Sequence, residues 1–486
     1  MKRTIVAYLL GKILLVESLL LLLPVIVGLI YREPIEQISS YLFVSALLGG
    51  FAFLAGKLNP KKIKLYSRDG MVIVALGWIA LSFFGALPLV LTKEIPNIFD
   101  AFFEISSGFT TTGSSILPTL SPLKHSSLFW RSFTHFVGGM GFLVFTLAVL
   151  PNTSEYIQLM RAEVPGPTFG KLVAKLSGTA RILYGLYIIM TAILVMILVI
   201  VKVPVFDAFL LAFGTAGTGG FAINDQGFSI YQNQQLVEWI IAIGMLLFGI
   251  NFNIYYLSIL GYFKEIIKND EELKFYLLIV ITATTLITVN IIHYYDNFSQ
   301  LIREVFFTVS SIITTTGYSV NDFTKWPIFS QTILVLLMFI GGCAGSTAGG
   351  IKVIRIIIYI KESIAEIKKS AQSGRVVVPK ISEKPLRKSI ESQVSHYLMV
   401  YIAIFIIILL SVSIEVDDFT TAFTAVAATF NNIGPGLSKV GPMENFSIFS
   451  NWNKFVLSIG MIAGRLEIYP MIILFSPTTI RKLIES

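Results

Sequence analysis

Charged residues and cysteines are both scarce in this chain of 486 residues. Only 14% of the residues are charged, whereas a soluble domain has about 25%. This shortage excludes a disordered chain and argues strongly against a soluble enzyme. The single cysteine, Cys343, excludes a disulfide framework and a metal site of several cysteines. The four histidines are scattered without metal-ligand spacing: His125, His135, His293 and His396.

Apolar residues, by contrast, make up 55% of the chain, and the mean hydropathy is +0.77. Because a spanning helix needs about 20 apolar residues, the long apolar runs predict an all-α polytopic membrane protein with ten spanning helices. The first run is too long for a signal peptide and has no clear cleavage site, so we interpret it as a retained helix. The runs cover residues 5–30, 38–56, 71–92, 133–150, 183–201, 239–261, 275–295, 328–359, 397–414 and 455–475.

Three connections between these runs are rich in Lys and Arg: 57–68, 152–182 and 361–395. All three fall on one side of the membrane if ten spans are counted, together with the basic residues near both termini. Because Lys and Arg accumulate in cytoplasmic loops, we expect a multi-pass protein of the cell (inner) membrane with both termini cytoplasmic. The net charge of +8 is attributed to these loops rather than to nucleic-acid binding.

Four shorter segments share one pattern, an apolar helix of about a dozen residues that ends in a glycine turn. Aligned without gaps, they place Gly113, Gly220, Gly317 and Gly434 in one column, about 100 residues apart. Recurrence at such a period indicates an internal repeat, here of a spanning helix, a re-entrant short helix and a second spanning helix. The expected divisions are two extra N-terminal helices in 1–68 and repeats in 69–160, 161–270, 271–375 and 376–486.

Irregular backbone between membrane helices cannot face lipid, because its N–H and C=O groups would be unsatisfied. Four such turns around one axis would direct carbonyl oxygens at a dehydrated cation, and the C-terminal ends of four short helices would favour positive charge there. No charged side chain occupies the turns, which favours a monovalent cation. The candidate ion-binding residues are Thr111, Thr112, Gly113, Thr218, Gly219, Gly220, Thr315, Thr316, Gly317, Asn432, Ile433 and Gly434.

The motifs at these turns, SGFTTTGSS, TGGF, TTTGYS and NNIGPGL, resemble the Trk/Ktr/HKT superfamily of potassium transporters. Two extra N-terminal helices, GGCAGSTAGGIK, GRLE and the VPGP loop are most similar to its TrkH/TrkG branch. The resemblance covers essentially the whole chain. It implies a fourfold pseudo-symmetric, K⁺-channel-like pore made from one chain, with K⁺ ions in the filter (Rb⁺ as a surrogate) and no covalently bound cofactor.

The resemblance also implies a homodimer in the lipid bilayer, controlled by a cytosolic nucleotide-binding ring of the TrkA kind. A Na⁺-conducting or weakly selective channel or symporter of the same fold is the alternative. Serine replaces the first filter glycine in sodium-selective members of the plant branch, so Gly113 favours K⁺. An intramembrane enzyme would need a nucleophile–base pair or metal ligands within the spans, and neither is evident.

The eighth apolar run contains a candidate gate. Five of the twelve residues from Gly341 to Lys352 are glycine, and each glycine costs about 1 kcal/mol of helix propensity, so the helix should break there. The residues alone allow two interpretations, a loop that obstructs permeation beneath the filter or close packing by small residues; the resemblance favours the gate. The candidate gate residues are Gly341, Gly342, Cys343, Ala344, Gly345, Ser346, Thr347, Ala348, Gly349, Gly350, Lys352 and Arg465.

Arg465 and Glu467 lie in the last apolar run, where charge is expensive and usually faces a cavity or a partner. Arg465 would present positive charge to the ion path or form a structural ion pair; the ion pair is the interpretation for Glu467. Lys352 has the same ambiguity, with snorkelling to the cytoplasmic interface as its alternative. Asn251 would line the same cavity.

Acidic residues lie near the N-terminal ends of the short helices. They could form an outer vestibule that concentrates cations, or they could stabilise the helix N-termini. The sequence favours neither. The residues are Asp100, Asp207, Glu415, Asp417 and Asp418.

Replacing Gly113 or Gly317 by serine should lower the discrimination of K⁺ over Na⁺ more than it lowers expression, because a side chain would distort the filter backbone. Competition of each cation with Rb⁺ uptake measures this. Unchanged selectivity in both variants would remove these turns from the filter.

Neutralising Lys368, Lys369, Arg387 and Lys388 together should weaken binding of a regulatory partner, because this basic segment is the longest cytoplasmic connection and follows the candidate gate. Co-purification of the partner with the variant measures the effect. A role only in positive-inside topology predicts misinsertion or no change, so intact binding in a correctly inserted variant would contradict docking.

Overall fold

The computed structural model describes residues 3–58, 60, 66–141, 176–372, 377–382, 384–479 and 481. Within these ranges the regular structure is predominantly helical. The strands described there are a single antiparallel pair of two-residue strands, β1 (Lys380–Ile381) and β2 (Lys384–Pro385). The predicted helical class is confirmed. The basic connection at 152–175 and the VPGP motif lie outside the described residues.

The N-terminal helices are α1 (Arg3–Leu20), α2 (Leu22–Ile30) and α3 (Ile35–Gly56). Helix α1 packs against α3, and the hydroxyls of Ser18 and Ser45 each donate to the other residue's carbonyl oxygen at 2.7 Å. Small residues allow two helix backbones to approach closely and exchange such bonds. Helices α1 and α3 therefore pack tightly as a pair, and α1 also contacts the following long helix at Ser67–Leu91.

Four consecutive units follow, each with a long helix, a short helix and a third helix. Unit 1 has α4 (Ser67–Leu91), α5 (Ile98–Phe109) and α6 (His125–Gly139). Unit 2 has α7 (Leu176–Ile200), α8 (Val205–Gly217) and α9 (Gln234–Phe248), followed by α10 (Phe252–Ile259) and α11 (Phe263–Asn269). Unit 3 has α12 (Glu271–Ile291), α13 (Phe298–Ile313), α14 (Ile328–Ile340) and α15 (Val353–Ala371); unit 4 has α16 (Lys388–Ser413), α17 (Phe419–Phe430), α18 (Asn451–Arg465) and α19 (Tyr469–Phe475).

Three of the four short helices, α5, α13 and α17, begin at side-chain caps where the chain turns back, whereas α8 follows Pro204 without such a cap. Asn97 accepts a hydrogen bond from the backbone N–H of Phe99 before α5, and Asn297 caps α13 in the same way. Asp418 accepts from the N–H groups of Thr420 and Thr421 at the start of α17. Such caps satisfy N–H groups that have no partner within the helix, and for Asp418 they bear out the helix-stabilising interpretation.

The long helices expose apolar faces, whereas the short helices are buried between them. On α12, Leu278, Ile281 and Val289 are 57%, 63% and 67% exposed, while every residue from Ala101 to Phe109 of α5 is buried. Apolar patches of this kind rarely face water. The arrangement therefore suits a protein whose outer surface meets lipid and whose inner elements carry polar groups.

The third helices of units 2, 3 and 4 are interrupted, which lowers the number of unbroken spans among the described residues below the predicted ten. In the described part of the chain, six helices are long and apolar enough to cross a membrane, or seven if α9 and α10, bent by 87°, form one span. The run at 328–359 is broken between α14 and α15, as its glycines predict, and the run at 455–475 breaks between α18 and α19. The run at 133–150 continues beyond the described residues.

Candidate functional site

The four glycine turns form a closed ring in which each turn touches the next. In every contact, the glycine of one turn lies against a carbonyl oxygen of the next turn. That oxygen belongs to the residue immediately before the next turn's own glycine. A Cβ on the glycines of units 1, 2 and 3 would stand 2.0, 1.9 and 2.0 Å from that oxygen, and one on the glycine of unit 4 would stand 3.0 Å away. The pairs are Gly113 with Gly219, Gly220 with Thr316, Gly317 with Ile433 and Gly434 with Thr112.

The backbone of the ring repeats one unusual conformation four times. The glycines have φ between 65° and 111°. The residues two positions earlier also have positive φ, between 55° and 57°, which costs a non-glycine residue on the order of 1–3 kcal/mol. Three different local sequences, TTTG in units 1 and 3, GTGG in unit 2 and NNIG in unit 4, thus adopt the same strained shape, and strain of this kind clusters at functional sites. The strained residues are Thr111, Thr218, Thr315 and Asn432.

The amide groups of the ring turn back to the short helices, whereas the carbonyl groups do not. The N–H of the residue before each glycine donates to a carbonyl oxygen near the end of its own short helix, at 2.8 to 2.9 Å. Among the described residues, none donates a hydrogen bond to the carbonyl oxygens of the same four residues. Buried carbonyl groups rarely lack a partner, so these oxygens are available to a ligand. The residues are Thr112, Gly219, Thr316 and Ile433.

A buried ion pair secures the turn of unit 1. Glu104 and Arg131 approach to 2.7 Å, and both side chains are at most 1% exposed. Glu104 also accepts from the N–H of Ile116 at 3.0 Å, and the guanidinium of Arg131 stacks over the ring of Phe221 in unit 2 at 4.3 Å. The pair thereby fixes the segment after Gly113 and links it to the neighbouring turn.

Units 3 and 4 use neutral side chains for the same purpose. Ser311 donates to the carbonyl of Tyr318 at 2.6 Å in unit 3. In unit 4, Thr424 accepts from the N–H of Leu437 at 2.9 Å. The backbone of the ring is therefore common to the units, but the side chains that hold it are not.

A cavity of about 340 Å³ opens on one side of the ring and reaches all four ring glycines. Its acidic lining residues are Asp225, Glu238 and Glu444. Hydrogen bonds, chiefly from the Ser121 hydroxyl and then from the N–H of Leu120, hold the pKa of Asp225 below its ordinary value. Asp225 is therefore negatively charged at neutral pH, beside the cavity.

None of the acidic residues considered for an outer vestibule is among the residues that line this cavity. Asp100 instead pairs with Lys454 at 2.6 Å. Asp207 accepts from the Tyr231 hydroxyl at 3.1 Å, and Glu415 accepts from the N–H of Ser450 at 2.6 Å. Each of these three carboxylates thus has a hydrogen-bonding or charged partner within the protein.

The glycine loop between α14 and α15 lies against the ring on the side away from the cavity. The N–H of Gly349 donates to the hydroxyl of Thr315 at 2.6 Å, and the N–H of Gly350 donates to the carbonyl of Asn431 at 3.1 Å. A Cβ on Gly349 would stand 2.4 Å from that carbonyl oxygen. Glycine is therefore required where the loop meets the ring.

Both ends of the loop are held by one carboxylate that sequence reasoning missed. Glu272, at the start of α12, accepts from the N–H of Ala344 at 2.7 Å and from the N–H of Ile354 at 3.2 Å. The N–H of Cys343 donates to the carbonyl of Gly249 at 3.0 Å. Asn251 also lies against the loop, because its side-chain oxygen stands 3.0 Å from where a Cβ of Gly345 would be.

Arg465 connects the loop to unit 1. Its guanidinium donates to the carbonyl of Thr347 at 2.8 Å and to the carbonyls of Gly138 and Gly139, at the end of α6, at 2.6 Å each. The C-terminal carbonyls of a helix carry partial negative charge and attract such a group. Arg465 therefore lies beside the loop, as its assignment to the gate requires.

Glu467 and the gate candidate Lys352 are both paired inside the molecule. Glu467 forms an ion pair with Arg355 at 2.6 Å, which confirms the structural interpretation for Glu467. Lys352 is only 2% exposed, and its ammonium group donates to the carbonyl of Ala348. Snorkelling was the wrong alternative for Lys352, because the side chain folds back onto its own loop.

The architecture, a bundle of apolar helices around a buried ring of backbone, is that of a membrane transport protein. The family model described as "TrkH: Cation transport protein" matches residues 39–481, so the chain belongs to the TrkH family. This confirms the resemblance seen in the motifs. It also confirms that the chain is a transport protein rather than an enzyme.

Relatives match over nearly their whole length. The Trk system potassium uptake protein TrkH of Salmonella typhimurium is 34% identical over 475 residues, covering 96% of this chain and 97% of the relative. The potassium uptake protein TrkG of Escherichia coli K12 is 33% identical and covers 97% of each chain. The crystal structure of the potassium transporter TrkH from Vibrio parahaemolyticus superposes with a TM-score of 0.86 at 29% identity, over 99% of this chain and 100% of that one.

Sequence signals for the missed residues exist but are weak. Glu104 and Arg131 are isolated charges within or beside apolar segments, where charge usually has a partner or a function, whereas Glu272 lies among other charged residues at the start of a run. The sequence signal for His135 is indirect, because it is the absence of side chains from the turn of unit 2.

Replacing Glu272 by alanine should raise basal Rb⁺ flux into proteoliposomes several-fold, because two N–H groups of the loop lose their acceptor. Arg465→Ala should act in the same direction, and both should leave cation selectivity unchanged because the ring glycines are untouched. Glu265→Ala, on the exposed helix α11, is the matched control. A fall in flux per folded protein in both test variants would contradict a gate.

Proposed function

We propose that this protein takes up K⁺ across a bacterial cytoplasmic membrane through the ring of four turns. The observation that carries the proposal is the set of four backbone carbonyls without hydrogen-bond donors among the described residues, arranged in one closed ring. Carbonyl oxygens replace the hydration shell of K⁺ in selective pores. The names of the relatives, which describe potassium uptake and transport, support the same ion.

The chemistry of the ring suits a monovalent cation. Its twelve residues carry no charged side chain, and the short helices end beside it with their partly negative termini. Each unit keeps a glycine at its ring position, which favours K⁺ over the Na⁺-conducting alternative. The ring residues Thr111 to Gly113, Thr218 to Gly220, Thr315 to Gly317 and Asn432 to Gly434 form the proposed filter.

The glycine loop is the proposed gate. It contacts Thr315 and Asn431 on the side of the ring opposite the open cavity, where it would obstruct an ion leaving the filter. Arg465 places a positive charge beside the loop and would oppose a cation there. Moving the loop and this charge aside would open the path.

The proposed architecture has ten spans and four re-entrant short helices. Six helices span without interruption, and counting the third helix of each unit as one further span brings the number to ten. The unit boundaries at 69–160, 161–270, 271–375 and 376–486 follow the order of the helices. Around the ring this arrangement gives the fourfold pseudo-symmetry of a K⁺ channel, with both termini cytoplasmic.

Regulation is proposed to act through helix α15, which directly follows the loop. Lys361 of α15 pairs with Glu271, next to the Glu272 that holds the loop. Lys368 and Lys369 lie in the last turn of α15. A cytosolic nucleotide-binding partner that docks on this basic segment would pull α15 and break the hydrogen bonds between Glu272 and the N–H groups of Ala344 and Ile354. We propose that the protein acts as a homodimer with such a partner.

A series of glycine-to-alanine variants tests the function. Gly220→Ala should abolish K⁺-selective Rb⁺ uptake because its Cβ would overlap the carbonyl of Thr316, whereas Gly434→Ala, with 3.0 Å of space, should lose less. Gly227→Ala is the matched control, because it has a similar φ of 61° but nothing within 4 Å. Equal effects of Gly220→Ala and Gly227→Ala on uptake per folded protein would contradict the filter.

A further inference from the structure

The turn of unit 2 lacks side chains that the other units have. Gly217 and Gly219 stand where unit 1 has Thr110 and Thr112; units 3 and 4 have Thr314 and Thr316, and Asn431 and Ile433. All four turns nevertheless adopt the same backbone conformation. Another part of the molecule must therefore support the unit 2 turn.

His135, from helix α6 of unit 1, occupies the vacated space. A Cβ on Gly219 would stand 2.2 Å from both the Cγ and the Nδ1 of the imidazole ring. The residue is 0% exposed, and its ring centroid lies 4.3 Å from that of Phe221. The imidazole fills the position that a threonine or isoleucine side chain takes in the other units.

Both ring nitrogens of His135 bind backbone groups. Nδ1 lies 2.8 Å from the carbonyl oxygen of Gly108, and Nε2 accepts from the N–H of Phe221 at 3.3 Å. Because a carbonyl can only accept and an amide can only donate, these contacts require a neutral ring with its proton on Nδ1. One side chain thus joins the end of the unit 1 short helix to the residue after Gly220.

We propose that His135 is a positioning residue for the filter, supplying from unit 1 the side chain that unit 2 lacks. Its imidazole packs against Gly219, whose carbonyl oxygen lies against Gly113. His135 therefore positions the contact between the first two turns of the ring. This inference rests on the proposed function, because it assigns His135 to the ion selectivity of that ring. A residue that only fills space would be replaceable by any side chain of similar volume.

A double-mutant cycle tests the pairing of His135 with Gly219. His135→Ala leaves the turn unsupported and Gly219→Ala collides with the imidazole, so each should lower K⁺ over Na⁺ discrimination by about tenfold, within the range of couplings between contacting residues. The double variant should lose no more selectivity than His135→Ala alone, because the new Cβ no longer meets the imidazole, although both hydrogen bonds of His135 stay lost. The measurement is Rb⁺ uptake in competition with K⁺ and Na⁺, normalised to folded protein.

Gly217 provides the matched control. A Cβ there would stand 2.2 Å from the backbone carbonyl oxygen of His135 rather than from its ring. Removing the imidazole therefore cannot relieve Gly217→Ala, and the double variant with His135→Ala should show the sum of the two single losses. Additive effects in the Gly219 cycle, or equal recovery in the Gly217 cycle, would overturn the proposal.

Two further variants separate folding and function. His135→Leu keeps volume but loses both hydrogen bonds, and should retain folded protein while losing selectivity; wild-type selectivity in this variant would reduce His135 to packing. Gly113→Ser separates a failure of the proposed filter from a failure of the role proposed for His135. If Gly113→Ser leaves selectivity unchanged, the ring is not the filter; if it changes selectivity while the Gly219 cycle is additive, only the role of His135 fails.

Discussion

Backbone carbonyl groups that lack a donor can exist at the centre of a membrane protein only if the rest of the molecule shields them from lipid. In the described part of this protein four such groups meet in a ring, and the helices are arranged around that constraint. Three of the four short helices have side-chain caps where the chain turns back, and all four receive the N–H groups of the turns. The long helices then separate the ring from the apolar surface.

The ring is more regular than the side chains that support it. A buried Glu104–Arg131 pair serves unit 1, His135 serves unit 2, Ser311 serves unit 3 and Thr424 serves unit 4. Each supplies a hydrogen bond to the segment that continues from its glycine. The requirement on each unit is therefore a backbone shape, and different side-chain chemistry can meet it as long as no buried polar group is left unpaired.

The ring and the loop are parts of one hydrogen-bonded structure. The loop donates to Thr315 and Asn431, Arg465 joins it to the end of α6, and Glu272 ties both of its ends to α12. Displacing the loop would break bonds to ring residues as well as the bonds to Glu272. A movement of α15, which follows the loop, would therefore reach the ring through a short series of defined contacts.

The sequence by itself determined the helical membrane class, the family, the four glycine turns and the break in the run at 328–359, because each depends on local composition or spacing. It left the acidic residues and Lys352 open between two interpretations, and it missed the roles of His135, Glu272 and the Glu104–Arg131 pair. Those roles join residues far apart in the chain, such as His135 with Gly219, and no local pattern encodes which side chain fills a neighbour's empty space. Only the tertiary structure decided that Gly219 is glycine because an imidazole from another unit lies where its side chain would be.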